Sequence, residues 1–107
     1  MDQSQICPRF EQAISLLSQR WTGLIIYRLL SGPQRFCTLE AGIKGISGRV
    51  LSERLKDLEG LGIVKRDVFP ETPVRIEYSL SEKGHALEPV LRETEKWAQT
   101  WLEAEVE

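Results

Sequence analysis

Apolar positions recur through the first half of the chain at steps of three and four residues. From Pro8 onward, Phe10, Ala13, Ile14, Leu17 and Trp21 fall on one stripe, the pattern of a helix with a single apolar face. Pro8 suits the first helical position, where an N–H would lack a partner in any case. A second helix is predicted over Trp21–Leu30, where Trp21, Leu24, Ile25, Ile26, Tyr27, Leu29 and Leu30 spread around the axis. A helix apolar on most sides belongs in the centre of a core. Ser31-Gly32-Pro33 ends it, because glycine frees φ and proline cannot continue a helix. A short third helix is expected over Arg35–Gly42, with Phe36, Leu39 and Ile43 in register, and Gly42 and Gly45 bracket a tight link. Ser47 then has the chemistry of an N-cap, a hydroxyl that accepts from the free N–H groups of a first turn. The fourth helix, about Gly48–Glu59, buries Leu51, Leu55 and Leu58, with Val50 and Arg54 flanking the stripe. Gly60 or Gly62 supplies its stop.

Beyond residue 62 the period changes to two. Ile63–Phe69 reads as a strand in which neither side is wholly apolar, so its facing stays open. Pro70-Glu71-Thr72-Pro73 is a stiff connection. Val74, Ile76, Tyr78 and Leu80 are expected to point inward from the next strand, and Arg75, Glu77 and Ser79 outward. The two strands form a hairpin. A last helix is expected from Ser81, carrying Leu87, Val90, Leu91, Thr94, Trp97, Ala98 and Trp101, weakened by Gly84 and bent at Pro89. Glu103–Glu107 should fray.

Four helices, a hairpin and a helix make an α+β chain that is mainly α. Two helices joined by a glycine-containing link and followed by a hairpin are the parts of a winged helix-turn-helix, with the C-terminal helix left for dimerisation. The 107 residues suit a single domain, 1–107. At this size a second copy would add useful burial. Trp97 and Trp101 are four residues apart, so they share a helix face. With Phe10 and Leu91 they are the candidate dimer contacts, placing the first and last helices (about 8–20 and 82–102) at the interface. No run of about 18 apolar residues is present, which argues against a membrane span. The N-terminus lacks the layout of a signal peptide, which points to the cytoplasm. Cys7 and Cys37 are too few and too ill-spaced for a disulfide framework or a metal site, and no cofactor motif is visible.

The formal net charge of −2 argues at first against nucleic acid. Its distribution argues the other way: residues 28–75 hold nine bases and six acids, while residues 76–107 hold three bases and eight acids. A basic middle with an acidic tail suits a chain that meets phosphates with one part only. With Leu51, Leu55 and Leu58 buried, the fourth helix shows Gly48, Arg49, Ser52, Glu53 and Lys56 on its outer face. Arg49 can donate bidentately to guanine O6 and N7, and Ser52 can pair with several base edges. Lys56 suits a phosphate. Ser47 and Gly48 leave a helix N-terminus that attracts a phosphate oxygen. Arg75, at the base of the hairpin, is the candidate wing contact. On an isolated helix the same charges would read as an ion-paired solvent face; the helix order and hairpin favour DNA. A winged-helix protein-interaction module without DNA binding is the alternative, and an acidic or apolar outer face would have favoured it. No nucleophile–base pair, metal cluster or phosphate loop points to an enzyme.

Cys7 precedes Pro8 at a helix start, where the dipole and free N–H groups favour the reactive thiolate, and Arg9 adds positive charge. It is either a thiol switch or an inert, half-buried cysteine. Cys37 reads as a small packing residue, and His85 as a surface or packing histidine.

Cys7-Pro8, Leu16-Leu17 with Arg20-Trp21, Gly32-Pro33-Gln34-Arg35-Phe36, the run Ser47–Leu58 and the run Pro73–Gly84 occur in that order. Together they resemble the HxlR family of winged-helix regulators over about residues 7–101. The resemblance implies a homodimer built from the first and last helices. It implies double-stranded operator binding through the Ser47–Glu59 helix and the wing near Pro70–Arg75, and control of nearby genes, as a repressor or an activator, without catalysis. Some members sense oxidants or electrophiles, such as quinones or hypochlorite, through a cysteine near the N-terminus, a position that Cys7 matches. Such members often use a second, C-terminal cysteine, and none follows Cys37 here. Alkylation of Cys7 or capping by a small thiol stays open, as does a disulfide to Cys37 of a second copy.

Overall fold

The computed structural model describes residues 5–104. Six helices and one hairpin follow in order: α1 (Pro8–Ser18), α2 (Thr22–Leu29), α3 (Phe36–Gly42), α4 (Gly48–Gly60), β1 (Val64–Phe69), β2 (Arg75–Leu80), α5 (Glu82–His85) and α6 (Glu88–Trp101). This is the expected winged helix-turn-helix with a C-terminal helix.

Both ends of α4 are set by local chemistry. The Ser47 hydroxyl accepts from the Val50 N–H at 3.2 Å, as an N-cap should. At the other end Gly62 has φ +74°. Its N–H bonds the Glu59 carbonyl at 3.0 Å, and the Ile63 N–H bonds the Leu58 carbonyl at 2.9 Å. These two bonds form a Schellman motif, whose usual apolar contact falls to the buried pair Leu58 and Ile63. Gly62 rather than Gly60 is therefore the stop, because only Gly62 needs a left-handed backbone.

The core lies where α2, α3, α4 and the start of the wing meet. Ile25, Ile26, Leu29, Leu39, Leu51, Leu55 and Leu58 are fully or almost fully buried, and Ile63, Val64 and Leu80 close the wing onto them. The strands pair antiparallel with Val64 opposite Leu80 and Phe69 opposite Arg75. Gln34, in the α2–α3 connection, adds a short bridge to the other edge of β2: its N–H and carbonyl exchange bonds with Tyr78 at 2.9 and 2.8 Å. The wing is thereby tied to the segment that leads into α3.

Several expectations need correction. Trp21 belongs to neither helix stripe; it is the N-cap of α2, with φ +78°. α2 is not buried on all its apolar sides, since Leu24 is exposed and Tyr27 half-buried. Val74 lies before β2 and is exposed, so the inward row starts at Ile76. Cys37 is exposed and fills no space in the core. The last helix is two helices. Ser81 caps α5 by accepting from Gly84 N–H at 3.1 Å, and Pro89 sits in the first turn of α6, where its missing N–H costs nothing. Pro89 thus starts a helix and does not bend one. α6 ends at Trp101, and of the stretch expected to fray, residues 105–107 lie outside the described residues.

Gly84 has a reason that propensity alone hides. It is buried, and a Cβ there would stand 2.4 Å from the Ile63 carbonyl oxygen and 3.0 Å from Leu80 Cδ2. On an open helix Gly→Ala would stabilise by about 0.5–1 kcal/mol. Here α5 must move off the base of the wing, and overpacking of this kind costs about 1–3 kcal/mol. Gly84→Ala is therefore expected to lower the urea midpoint. A midpoint unchanged or raised would mean that α5 does not pack this closely.

Candidate nucleic-acid interface

α3, the turn Ile43–Ser47 and α4 form the helix-turn-helix. Ile43 and Ile46 are buried under the turn, and Gly45 takes φ +90° between them. α4 is then rolled by its leucines. Leu51, Leu55 and Leu58 are at most 1% exposed, so the opposite face must look outward. Arg49 stands on that face with 82% of its side chain exposed, near Glu53 at 3.6 Å. An exposed i,i+4 pair is weak in water, so a phosphate or guanine can compete for the guanidinium. Glu53 and Lys56 are exposed too, whereas Ser52 and Gly48 are half-buried. Ser47 uses its oxygen for the cap and retains its hydroxyl proton. The N-terminus of α4 is less open than the sequence implied: a Cβ on Gly48 would stand 2.9 Å from Glu40 Oε2. The Glu40 carboxylate thus borders the end expected to attract phosphate.

The wing carries exposed bases that the sequence reading passed over. Lys65 and Arg66 on β1 are both exposed, as are Asp67 and Val68. The signal was present in the mixed polarity of both sides of β1. A strand such as β1, exposed on both faces over Lys65–Val68, has no apolar row to show. Arg75 stands opposite Phe69 at the loop end of the hairpin, not at its base, and is committed within the wing. Its Nη2 and Nε donate to the Glu71 carboxylate at 2.9 and 3.3 Å, its Nη1 donates to Glu77, and its guanidinium lies 3.9 Å from the centre of the Phe69 ring.

Elsewhere, apolar side chains are left uncovered. Phe10 and Ile14 on α1, and Val90, Trp97 and Trp101 on α6, are exposed, Trp101 by 72%. No residue of α1 or α6 is buried. Leu91 differs from the other expected dimer contacts, because it is half-buried against the core of its own chain. Between the end of α1, α2 and α6 lies a cavity of about 530 Å³ lined by Leu17, Trp21, Leu24, Tyr27, Val90 and Leu91, among others. The Tyr27 hydroxyl donates to Glu95 across it, holding α6 on α2, and this bond pushes the Tyr27 phenol above its ordinary pKa. Cys7 is exposed at the N-cap of α1; its carbonyl accepts from Glu11 N–H at 3.1 Å and its side chain makes no capping bond. His85 is exposed. Among the described residues no cluster of His, Cys, Asp or Glu could hold a metal ion, and no helix is long and apolar enough to cross a membrane.

The HxlR-like helix-turn-helix family matches residues 16–106. The chain belongs to the HxlR family. Among its relatives, this HxlR regulator is 61% identical over 103 residues to the HTH-type transcriptional regulator YvaP of Bacillus subtilis, spanning 96% of this chain and 95% of that one. The reduced form of the transcriptional regulator YodB from B. subtilis superposes with a TM-score of 0.82 at 49% identity, over 92% of this chain and 97% of that one. YodB has also been solved diamide-treated and quinone-bound. The redox regulator HypR in its oxidized form superposes with a TM-score of 0.83 at 32% identity, over 94% of this chain and 100% of that one. The HxlR chain is accordingly a transcriptional regulator and belongs to a family of regulators, not of enzymes.

The Arg75 hydrogen bond holds the Glu71 carboxyl below the usual carboxylate range. A lowered value means that the clamp stabilises the wing fully above the ordinary glutamate pKa of about 4.3 and is lost as pH falls through the Glu71 midpoint. In a carbon-detected titration Glu71 should titrate below an ordinary glutamate, and Arg75→Ala should bring it back up. Equal midpoints in both proteins would remove the clamp from the account.

Proposed function

We propose that this HxlR regulator is a sequence-specific DNA-binding repressor that acts as a homodimer, with α4 as its recognition helix. The observation that carries the reading is the projection of Arg49 from the capped start of α4, opposite a fully buried leucine stripe. Recognition helices read bases with their N-terminal residues. Arg49 reads a guanine, Ser52 and Glu53 tune neighbouring base edges, and Lys56 meets a phosphate. Ser47 and Gly48 place backbone N–H groups near another phosphate. Arg75 braces the wing with its charge met by Glu71 and Glu77, and the exposed Lys65 and Arg66 offer positive charge to the flanking backbone. α1 and α6 form the dimer contact through Phe10, Trp97 and Trp101, with Leu91 at its inner edge. The exposed Phe10, Trp97 and Trp101 support this, because large exposed apolar surface on a soluble chain marks an interaction site. Residues 1–107 then act as one domain, in the cytoplasm where the operator lies.

Cys7 is the proposed sensor of small oxidants or electrophiles. Its exposure at the start of α1, within the proposed dimer contact, supports the reading, as do the quinone-bound form of YodB and the redox role of HypR.

DNA from upstream of the gene, titrated by fluorescence anisotropy, tests the assignment. Arg49→Ala should cost about 1–3 kcal/mol and relax preference at one base position. Lys56→Ala should weaken all sequences alike and reduce the salt slope by about one. Unaltered binding by Arg49→Ala would exclude α4 as the reader. For the sensor, a benzoquinone should release DNA from the wild type and spare Cys7→Ser; equal release from both would remove Cys7 from that role.

A further inference from the structure

α4 carries a second arginine that faces away from the proposed duplex. Only 20% of the Arg54 side chain is exposed, against 82% for Arg49. Its Nε–H donates to the backbone carbonyl of Arg20 at 3.1 Å, and its Nη1 lies 4.0 Å from Asp57 Oδ2. The Arg20 carbonyl belongs to the corner Gln19–Thr22 between α1 and α2, a rigid place. Trp21 holds φ +78° there, a conformation that a bulky side chain adopts only when its surroundings enforce it. The fully buried Thr22 donates its hydroxyl to Gln19 Oε1 at 3.2 Å. The Arg20 guanidinium covers the indole at 4.7 Å.

The same corner touches the helix-turn-helix a second time. The indole edge packs over the turn, since a Cβ on Gly45 would lie 3.5 Å from Trp21 Cη2. One corner thus braces the turn that leads into α4 through Trp21, and the middle of α4 through Arg54. The leucine stripe fixes which side of α4 is buried. The two braces tie its start and its middle to one corner, and so bear on its position along its axis relative to α1.

We propose that Arg54 is a positioning residue for operator recognition, registering α4 on the α1–α2 corner through the Arg20 carbonyl. The proposal rests on operator binding by α4. It also means that a displacement of α1 reaches the recognition helix through a hydrogen bond as well as through packing. An arginine on a recognition helix would ordinarily be read as a phosphate or base contact; here its Nε–H is given to the chain's own backbone.

Arg54→Lys keeps the charge and an N–H donor one bond beyond the Nε position, and Arg54→Met keeps the stem alone. Positioning predicts that Arg54→Met loses operator affinity by about tenfold, of the order of one mismatched base pair, and that Arg54→Lys, which can still donate to the Arg20 carbonyl, loses less. Both should keep wild-type affinity and salt slope on non-specific duplex, a readout that a loss of stability would not reproduce once active fractions are matched. Arg54→Met binding operator like the wild type, or reducing the non-specific salt slope by about one, would overturn the proposal. Should the variants fold poorly, the wild type itself decides. In protein labelled with nitrogen-15 arginine, the Arg54 Nε–H should exchange slowly and hold its shift when DNA is added. Rapid exchange in the free protein, or a shift with non-specific duplex, would overturn the anchor. A wild type that prefers no upstream duplex would instead defeat the operator reading, and the Nε–H of the free protein would still judge the anchor.

Discussion

Three leucine side chains on one helix, sealed from water, determine where everything else on that helix points. Leu51, Leu55 and Leu58 recur at steps of four and three and meet Ile25, Ile26, Leu29 and Leu39 from α2 and α3. Removing one such leucine from a core typically costs about 2–5 kcal/mol, a large share of the stability of a domain this small. α4 therefore cannot rotate to bury its charges. Arg49, Glu53 and Lys56 are held in water by a constraint that has nothing to do with DNA. The Ser47 cap and the Gly62 stop fix the ends of the same helix, so the stripe acts on an element of defined length.

The charged side chains divide according to what already holds them. Arg75 is spent on Glu71, Glu77 and the Phe69 ring, and Arg54 on the Arg20 carbonyl. Among the described residues, Arg49 has only an exposed glutamate beside it. A basic residue that must trade partners with a phosphate does so at least cost when its existing partner is solvated. That difference separates reading residues from bracing residues better than residue type does. The apolar groups divide similarly. The inner helices are covered by their own chain, while α1 and α6 keep Phe10, Trp97 and Trp101 uncovered, the side chains on which the proposed dimer contact rests.

Much of this was legible in the residues. The order of helices, the Ser47 cap, the leucine stripe and the hairpin follow from periodicity and turn chemistry. The HxlR family followed from the motifs, and the comparisons bear it out. What escaped was decided by tertiary contact. Trp21 looked like part of two stripes because its spacing fits both, yet the corner needs a left-handed residue at that point. Gly84 looked like a weak spot because its crowding comes from Ile63, twenty-one residues earlier. Pro89 looked like a kink because the break at Ala86–Leu87 leaves no mark in apolar spacing. Arg54 was placed beside the stripe correctly, but its partner is a backbone carbonyl, and no side-chain pattern announces one. Lys65 and Arg66 were missed because β1, solvated on both faces, resembles a strand of undecided facing.

An amide chemical-shift titration with the upstream duplex puts the central claim to its most direct test. The account predicts that the largest changes fall in the first two turns of α4 and in the wing, while Leu55, Leu58 and the α2 core barely move. Changes concentrated on α6, with the start of α4 silent, would contradict it.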